Sequence, residues 1–225
     1  MGKDWVKGKV AVITGGAGGI GAALAVKFGR QGARVALVDV DSEGLKRKEG
    51  ELRRSGVDTF SRKADISDES ECVMATRDIV GHFGGIDILI NNAGISHRGP
   101  FCEAEISTIR RIMEVNFFGS LICTKAALDS IVARKGMIIV VSSIAGLTPL
   151  LGRTAYCASK HALHGMFSTL RGELRGKGVH VMIACPWFTR TNLALRALDG
   201  RGETTPHPRT TAGREASPEE VAEAI

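Results

Sequence analysis

The stretch VAVITGGAGGIG at residues 10–21 decides the fold. A short β-branched apolar run leads directly into a loop with five glycines, and the next residues carry Leu24, Phe28 and several alanines at helical spacing. This order of strand, glycine loop and helix is typical of dinucleotide-binding proteins, in which the glycines let a pyrophosphate approach the backbone N–H groups at the start of the helix. A glycine-rich turn with a purely structural role is the alternative. The loop residues predicted to contact a nucleotide are Gly15, Gly19, Ile20 and Gly21.

Outward from this loop, short apolar strands alternate with longer segments of helical periodicity. The predicted strands are Val10–Ile13, Arg34–Val38, Val57–Arg62, Ile86–Ile90, Met137–Val141 and Val179–Ala184. The predicted helices are Ile20–Gln31, Asp41–Ser55, Glu69–Phe83, Ile106–Val132 and Tyr156–Arg175. Continuous apolar strands that alternate with helices indicate a parallel sheet covered on both faces. Residues 1–225 are therefore predicted to form a single α/β domain with a doubly wound, Rossmann-like parallel sheet.

The composition excludes several classes of protein. Of the 225 residues, 44% are hydrophobic and 24% are charged, close to the averages of folded globular domains, so a disordered chain is not expected. No uninterrupted apolar run approaches the roughly 18 residues of a membrane span. The net charge of +6 comes without a run of basic residues interleaved with aromatics, so no nucleic-acid partner is expected.

The five cysteines include no Cys-x-x-Cys pair, which argues against a disulfide framework and against a metal site. They are predicted to be free thiols in a reducing compartment. The first nine residues mix charges and contain no apolar segment, so no secretory signal is expected and the protein is predicted to be cytoplasmic.

Residues 186–214 lose periodicity and collect Pro, Gly, Thr and Arg. A long loop of this kind usually has a function, and it is interpreted as a lid over a substrate. Beyond it, Ser217-Pro218-Glu219-Glu220 has the features of a helix start. Because the sequence stops at Ile225, soon after that start, the C-terminus is expected to be truncated before a last strand.

Asp39 closes the second predicted strand, 18 residues beyond Gly21. An acid at about this spacing accepts hydrogen bonds from the ribose hydroxyls of a dinucleotide. A carboxylate there repels a 2′-phosphate, and the glycine loop has no Lys or Arg to offset it, so NAD is favoured over NADP. The alternative is that Asp39 is only a turn residue at a strand end.

Tyr156 and Lys160 stand at positions i and i+4, on one face of a predicted helix. A Tyr-x-x-x-Lys pair alone is commonplace on helix surfaces. Here, however, Ser143 follows the fifth strand, 13 residues before Tyr156, and ligands of parallel sheets bind at the carboxyl ends of the strands. The serine hydroxyl and the phenol can therefore converge.

Taken together, these motifs resemble those of the short-chain dehydrogenase/reductase family over nearly the whole chain. The matching segments are Thr14-Gly15-x-x-x-Gly19-x-Gly21, Asp65-Ile66, Asn91-Asn92-Ala93-Gly94, Asn116, Ser143 and Tyr156-x-x-x-Lys160. The resemblance implies a catalytic set of Asn116, Ser143, Tyr156 and Lys160. It also implies cofactor contacts from Asp65, Ile66, Asn92, Ala93, Gly94, Tyr156, Lys160, Pro186 and Thr191.

Two departures from the family pattern concern the substrate side and the C-terminus. Pro186 is followed by Trp187 where the family usually has glycine, so Trp187 is expected to crowd the nicotinamide side or to form an apolar wall. The second departure is that the usual final strand of the family is missing. Other candidate wall residues are Ile144, Leu147, Phe188, Leu193, Leu195 and Leu198. Apolar walls favour a hydrophobic substrate, such as a steroid-like or acyl-chain alcohol.

The resemblance implies an NAD-dependent oxidoreductase that interconverts a secondary alcohol and a ketone. Tyr156 would be the general acid/base, Ser143 would hold the substrate oxygen, and Lys160 is expected to bring the phenol pKa well below 10 by its charge. Asn116 would hold a water that links Lys160 to solvent, or, in the alternative, would simply bond to the backbone. The alternative function is a nucleotide-binding regulatory or scaffold protein without turnover.

Assembly and substrate charge are the remaining expectations. The apolar positions of the two long helices predict a homodimer, with a tetramer only for a chain that has the complete C-terminus. The lid carries Arg190, Arg196, Arg201, Arg209 and Arg214 against Asp199 and Glu203. This excess of positive charge is either a means of steering an anionic substrate or an ordinary solvated loop. His97 and Arg98 are either substrate contacts or polar loop residues.

Overall fold

The fold is organised around one six-stranded, fully parallel sheet with strand order β3-β2-β1-β4-β5-β6. The computed structural model describes residues 5–208, 211 and 213–225. The strands are β1 Val10–Thr14, β2 Arg34–Asp39, β3 Thr59–Lys63, β4 Ile88–Asn91, β5 Met137–Val141 and β6 His180–Ala184. The predicted Rossmann-like, doubly wound parallel sheet is confirmed.

Helices cover both faces of this sheet. They are α1 Gly19–Arg30, α2 Ser42–Arg54, α3 Glu69–Phe83, α4 Ile106–Met113, α5 Gly119–Ala133, α6 Thr154–Arg175, α7 Asn192–Leu195 and α8 Pro218–Ala224. Short 3₁₀ turns occupy Phe101–Glu103 and Ile144–Gly146, and a π-helical turn occupies Glu114–Phe118.

The core is divided by the sheet into two apolar clusters. Val10 and Val12 of β1 point to the side of α3, α5 and α6, whereas Ala11 and Ile13 point to the side of α1, α2 and α8. Because successive side chains of a strand face opposite ways, a strand buried on both faces is apolar at every position. This is why continuous apolar runs in the sequence identified the strands.

The chain reverses direction across the sheet at β1. From β1 it runs outward to β2 and β3, and then it returns to pair β4 on the other side of β1. The loops that follow β1 and β4 therefore separate at the carboxyl edge and open a crevice, which is where open parallel sheets bind ligands.

The long helix predicted over Ile106–Val132 is interrupted in the structure. The π-helical turn at Glu114–Phe118 separates α4 from α5, and the Gly119 N–H bonds to the Glu114 carbonyl. Helical spacing of apolar residues does not distinguish an α turn from a single π turn, so the sequence could not show this break. Such turns often mark functional sites.

Among the described residues, one helical stretch, Ile106–Ala133, is long and apolar enough to cross a membrane by length and composition. This is a weak indication, because a helix that packs in the core of a globular domain meets the same criteria. Here Cys123, Ala127 and Ile131 pack in the core cluster beside the sheet.

The lid region combines loops with one short helix, α7. Single β-bridges join Leu198 to His97 and to Thr204, and Thr189 to Ala216. At its end, Ser217 and Glu220 form a reciprocal capping box that starts α8. Arg209 of the predicted basic lid lies outside the described residues.

Candidate active site

A cavity of about 780 Å³ opens along the carboxyl edge of the sheet. It runs from the glycine loop after β1 and the ends of β2 and β3, past the loops after β4 and β5, to the lid. One continuous cavity therefore connects the predicted nucleotide site with the predicted catalytic residues.

The glycine loop is shaped by close backbone approaches. Gly15 has φ +66, and a β-carbon on it would lie 2.9 Å from the Ala93 Cα. A β-carbon on Gly21 would lie 2.2 Å from the Gly15 carbonyl oxygen. Helix α1 begins after Gly18 without any side-chain cap, so its first N–H groups have no capping partner. This cradle of glycines and helix N–H groups fits the pyrophosphate of a dinucleotide.

Hydrogen bonds tie the end of β1 to the end of β4. The backbone N–H groups of Asn92 and Ala93 donate to Thr14 Oγ1 at 3.0 and 3.1 Å, and Asn92 Nδ2 donates to the carbonyl oxygens of Thr14 and Gly15 at 2.9 and 3.2 Å. These bonds set the width of the crevice. The Asn-Asn-Ala-Gly motif thus positions the glycine loop.

Asp39 faces the same crevice from the end of β2. Its carboxylate accepts a hydrogen bond from the Ala17 N–H and another from the Asp41 N–H, each at 3.0 Å. Asp65, at the end of β3, lines the cavity and accepts from the Ser67 N–H and hydroxyl. Arg47 of α2 also lines the cavity and is a cation outside the glycine loop, whose lack of basic residues was the basis for predicting NAD.

Ser143, Tyr156 and Lys160 meet where β5 ends and α6 begins. Ser143 lies close enough to the Tyr156 hydroxyl to lower the pKa of the phenol, and its Oγ accepts from the Ala145 N–H at 3.1 Å. Lys160 Nζ donates to the Val141 carbonyl at 2.9 Å and lies 5.7 Å from the centre of the Tyr156 ring. Both Tyr156 and Lys160 are buried.

Burial governs the charges of this pair. It raises the pKa of the Tyr156 phenol above its usual 10, although the Ser143 hydrogen bond and the Arg153 charge act in the opposite direction. Burial also lowers the pKa of Lys160 to about 8. The expectation that Lys160 brings the phenol pKa well below 10 is therefore wrong for this structure, because desolvation of the phenolate outweighs the effects of Ser143 and Arg153.

Asn116 sits in the π-helical turn and clamps the loop after β4. Its Nδ2 donates to the Ile95 carbonyl at 3.0 Å and to Ser159 Oγ at 2.9 Å, while its Oδ1 accepts from the Ile95 N–H at 2.8 Å. This is the backbone-bonded arrangement that sequence analysis kept as the alternative. A role in holding water beside Lys160 stays a prediction.

The chain is similar to proteins of a known family over most of its length. A family model described as short chain dehydrogenase matches residues 9–201. The chain belongs to the short-chain dehydrogenase/reductase family. It is 36% identical, over 230 aligned positions, to dehydrogenase/reductase SDR family member 7B of Bos taurus, and the match spans 99% of this chain and 71% of that protein.

Two solved structures extend the comparison to the fold. A short chain dehydrogenase/reductase from Burkholderia phymatum in complex with NAD superposes with a TM-score of 0.87 at 26% identity, over 99% of this chain and 85% of that one. An alcohol dehydrogenase from the archaeon Thermococcus sibiricus, complexed with 5-hydroxy-NADP, superposes with a TM-score of 0.84 at 26% identity. This match covers 97% of this chain and 88% of that one. The chain is thus an oxidoreductase-family protein whose structural neighbours bind NAD or an NADP derivative.

Most residues predicted for the site line the cavity, and three do not. Those in the lining are Gly15, Gly19, Ile20, Asp39, Asp65, Ile66, Asn92, Ala93, Gly94, Ser143, Tyr156, Lys160, Trp187 and Thr191. Gly21 and Asn116 lie behind it, where they hold the glycine loop and Ile95. Pro186 is also outside the lining, and its carbonyl accepts from the Ile144 N–H at 3.0 Å.

The apolar wall is smaller than expected. Ile144, Trp187, Phe188 and Leu193 line the cavity, and the indole and phenyl rings of Trp187 and Phe188 pack edge to face. The other three candidates are not in the lining: Leu147 and Leu195 point to solvent, and Leu198 pairs with His97. Along a loop no periodicity tells which leucines face inward.

Several lining residues carry no signal in the sequence, among them Ser96, Leu150 and Arg153. No motif marks them, because they come from loops whose course depends on tertiary contacts. His97 is predicted to be a substrate contact or a polar loop residue, but in the structure it is completely buried and is not in the lining. Arg98 donates to the Ala194 carbonyl at 3.3 Å and so attaches the lid helix α7.

Proposed function

We propose that this protein is an NAD-dependent oxidoreductase that interconverts a secondary alcohol and a ketone, with Tyr156 as the general acid/base. The observation that carries the proposal is that Ser143, Tyr156 and Lys160 lie together in the same cavity as the glycine loop and Asp39. When bound, the nicotinamide supplies the hydride acceptor or donor.

The chain's own residues would handle the substrate oxygen and its proton. An alcohol oxygen placed between the hydroxyls of Ser143 and Tyr156 is held by the serine, and Tyr156 Oη takes its proton during oxidation or returns it during reduction. Lys160, whose pKa is lowered to about 8 by burial, would pass the proton onward. Tyr156 and Lys160 share one face of α6, so the helix keeps this order fixed.

The test is turnover combined with cofactor binding. Purified protein should form NADH from NAD⁺ with members of a panel of secondary alcohols, and Tyr156→Phe should lower kcat by at least about 100-fold, the lower range for a general acid/base. NADH should bind the variant about as tightly as the native protein. Cofactor binding without turnover of any alcohol or ketone would instead favour a regulatory or scaffold role.

Preference for NAD over NADP is proposed from Asp39, whose carboxylate would repel a 2′-phosphate. Arg47 also lines the cavity, and its positive charge would attract the 2′-phosphate that Asp39 repels. The relative affinities for NADH and NADPH measure which of the two charges dominates. NADH is expected to bind more tightly than NADPH, and Asp39→Asn should narrow the difference by about 10-fold, equivalent to about 1.4 kcal/mol. Asp39→Arg should move the preference toward NADPH. Equal native affinities would contradict the role given to Asp39.

A further inference from the structure

A small polar cluster lies next to the proposed catalytic residues and has no part in the function proposed above. Its members are Ser142, which follows β5, His164 on α6 and Cys185, which follows β6. His164 Nε2 lies 3.0 Å from Ser142 Oγ and 3.6 Å from Cys185 Sγ. The imidazole therefore contacts side chains at the carboxyl ends of two neighbouring strands.

Ser142 stands between two residues that the proposed reaction uses. It immediately precedes Ser143 in the chain, and its hydroxyl donates to the backbone carbonyl of Lys160 at 3.4 Å. The carbonyl of the residue before it, Val141, accepts from Lys160 Nζ at 2.9 Å. Two successive residues at the end of β5 thus contact Lys160, and the next residue is Ser143. A rotation of this backbone would move the Ser143 hydroxyl relative to α6.

The hydrogen bond to His164 determines the orientation of the Ser142 side chain. A hydroxyl has one hydrogen, and that of Ser142 is directed at the Lys160 carbonyl. Its oxygen is then the acceptor for the Nε2–H of His164. Because Ser142 is buried, water does not readily replace this donor, and a buried oxygen that loses its partner is destabilised.

The surrounding backbone leaves space for this contact. Gly146 ends the 3₁₀ turn that follows Ser143, and a β-carbon on it would lie 2.7 Å from Ser142 Oγ and 2.8 Å from His164 Nε2. A larger residue would therefore separate the two groups. The backbone of Ser142 is held as well, because its N–H donates to the Ala184 carbonyl at 2.8 Å.

Resting on the proposed function, we propose that His164 is a positioning residue for Ser143. By donating to Ser142 it fixes the end of β5, and so the place of the Ser143 hydroxyl next to the Tyr156 phenol. His164 follows Lys160 by one helical turn, on the same face of α6. The imidazole thus joins the serine to the helix that carries the other two groups. A displacement of about 1 Å can lower a rate by about 100-fold, so a bond outside the substrate site can govern kcat.

The first test is titration of Tyr156, the only tyrosine of the chain, in protein without cofactor. Ser143 lowers the pKa of this phenol, so displacement of Ser143 should raise the midpoint of phenolate absorbance. His164→Met, which removes the donor, should raise it by at least half of the shift that Ser143→Ala causes. His164→Gln, whose amide can donate to Ser142, should restore most of the native midpoint. The pKa of His164 is lowered from 6.5, so the imidazole is neutral throughout and its replacement changes no charge.

Two further variants and a control isolate the effect. Ser142→Ala removes the acceptor instead of the donor and should give the same upward shift. In the Ser143→Ala protein, His164→Met should add no shift, because the group that it positions is absent. The matched control is His161→Met on the same helix. His161 is exposed and its Nδ1 contacts the Cys157 carbonyl of its own helix, so this variant should keep the native midpoint.

Turnover is the second test. With the secondary alcohol of the panel that the native protein oxidises fastest, His164→Met should lower kcat by about 10-fold, within the range for a misplaced group. KM and the affinity for NADH should stay unchanged, and His164→Gln should keep most of the activity. An unchanged thermal midpoint shows that each variant is folded.

A native phenol midpoint in His164→Met, or a shift that persists in the Ser143→Ala background, would overturn the role of His164. A shift that His164→Gln does not restore would overturn the hydrogen bond to Ser142 as its cause. If the native protein oxidises no alcohol, the proposed function fails, whereas the phenol titration still decides whether His164 positions Ser143.

Discussion

At the scale of single residues, Tyr156 shows how burial can outweigh nearby positive charge. Three groups act favourably on the phenolate or lie close to it, namely Ser143, Arg153 and Lys160, yet the pKa of the phenol is raised. The free energy lost when a charge is transferred from water into a protein interior exceeds the free energy gained from one or two imperfectly placed partners. The acid/base role proposed for Tyr156 would therefore require, near neutral pH, an additional stabilising charge from the bound cofactor or substrate.

Tyr156 is the only tyrosine of the chain, so ultraviolet absorbance of the phenolate reports this group alone. In protein without added cofactor, the titration midpoint should lie above 10, because burial raises the pKa. Arg153→Gln should move the midpoint higher, since the Arg153 charge lowers this pKa, and NAD⁺ should move it lower. A midpoint below 10 in the protein alone would contradict the dominance of burial.

Lys160 predicts a specific dependence of stability on pH. Its pKa is lowered from 10.5 to about 8 by burial, so between these values the unfolded chain holds a proton that the folded protein has released. The free energy of unfolding of the native protein should therefore rise with pH across this window, relative to Lys160→Met, by about 3 kcal/mol. Urea unfolding at both ends of the window measures it. The exposed Lys177→Met is the control, and a difference that stays constant with pH would contradict the prediction.

At the scale of elements, the turn between β1 and α1 depends on Gly21. An added β-carbon would lie 2.2 Å from the Gly15 carbonyl oxygen and 2.6 Å from Asn92 Nδ2. Gly21→Ala should therefore destabilise the fold by about 1–3 kcal/mol and weaken NADH binding. Gly18→Ala, with nothing within 4 Å of the new carbon, should change stability by less than about 0.5 kcal/mol. Equal unfolding midpoints of the two variants would refute this account of the turn.

At the scale of the whole molecule, the proposed homodimer can be tested through the α4–α5 segment. Ile106 is 63% exposed and Phe118 is 40% exposed, although most apolar side chains of the sheet are covered. Sedimentation at micromolar concentration should give about twice the chain mass of 23.9 kDa, and Phe118→Asp should shift the protein toward the monomer. Val73→Asp, at an exposed apolar position on α3, should not. A native monomer would refute the dimer.

The sequence by itself determined the alternation of strands and helices along the chain, the doubly wound sheet and the glycine loop, and it placed Asp39, Ser143, Tyr156 and Lys160 at the carboxyl ends of the strands. These follow from periodicity and from motifs with short spacing, which are properties of contiguous residues. Only the tertiary structure decided that His97 is buried, that Arg153 and Ser96 line the cavity, that a π turn divides the long helix, and that the pKa of Tyr156 is raised. Burial and electrostatic potential at a point are sums over atoms from segments far apart in the chain, so no local pattern contains them.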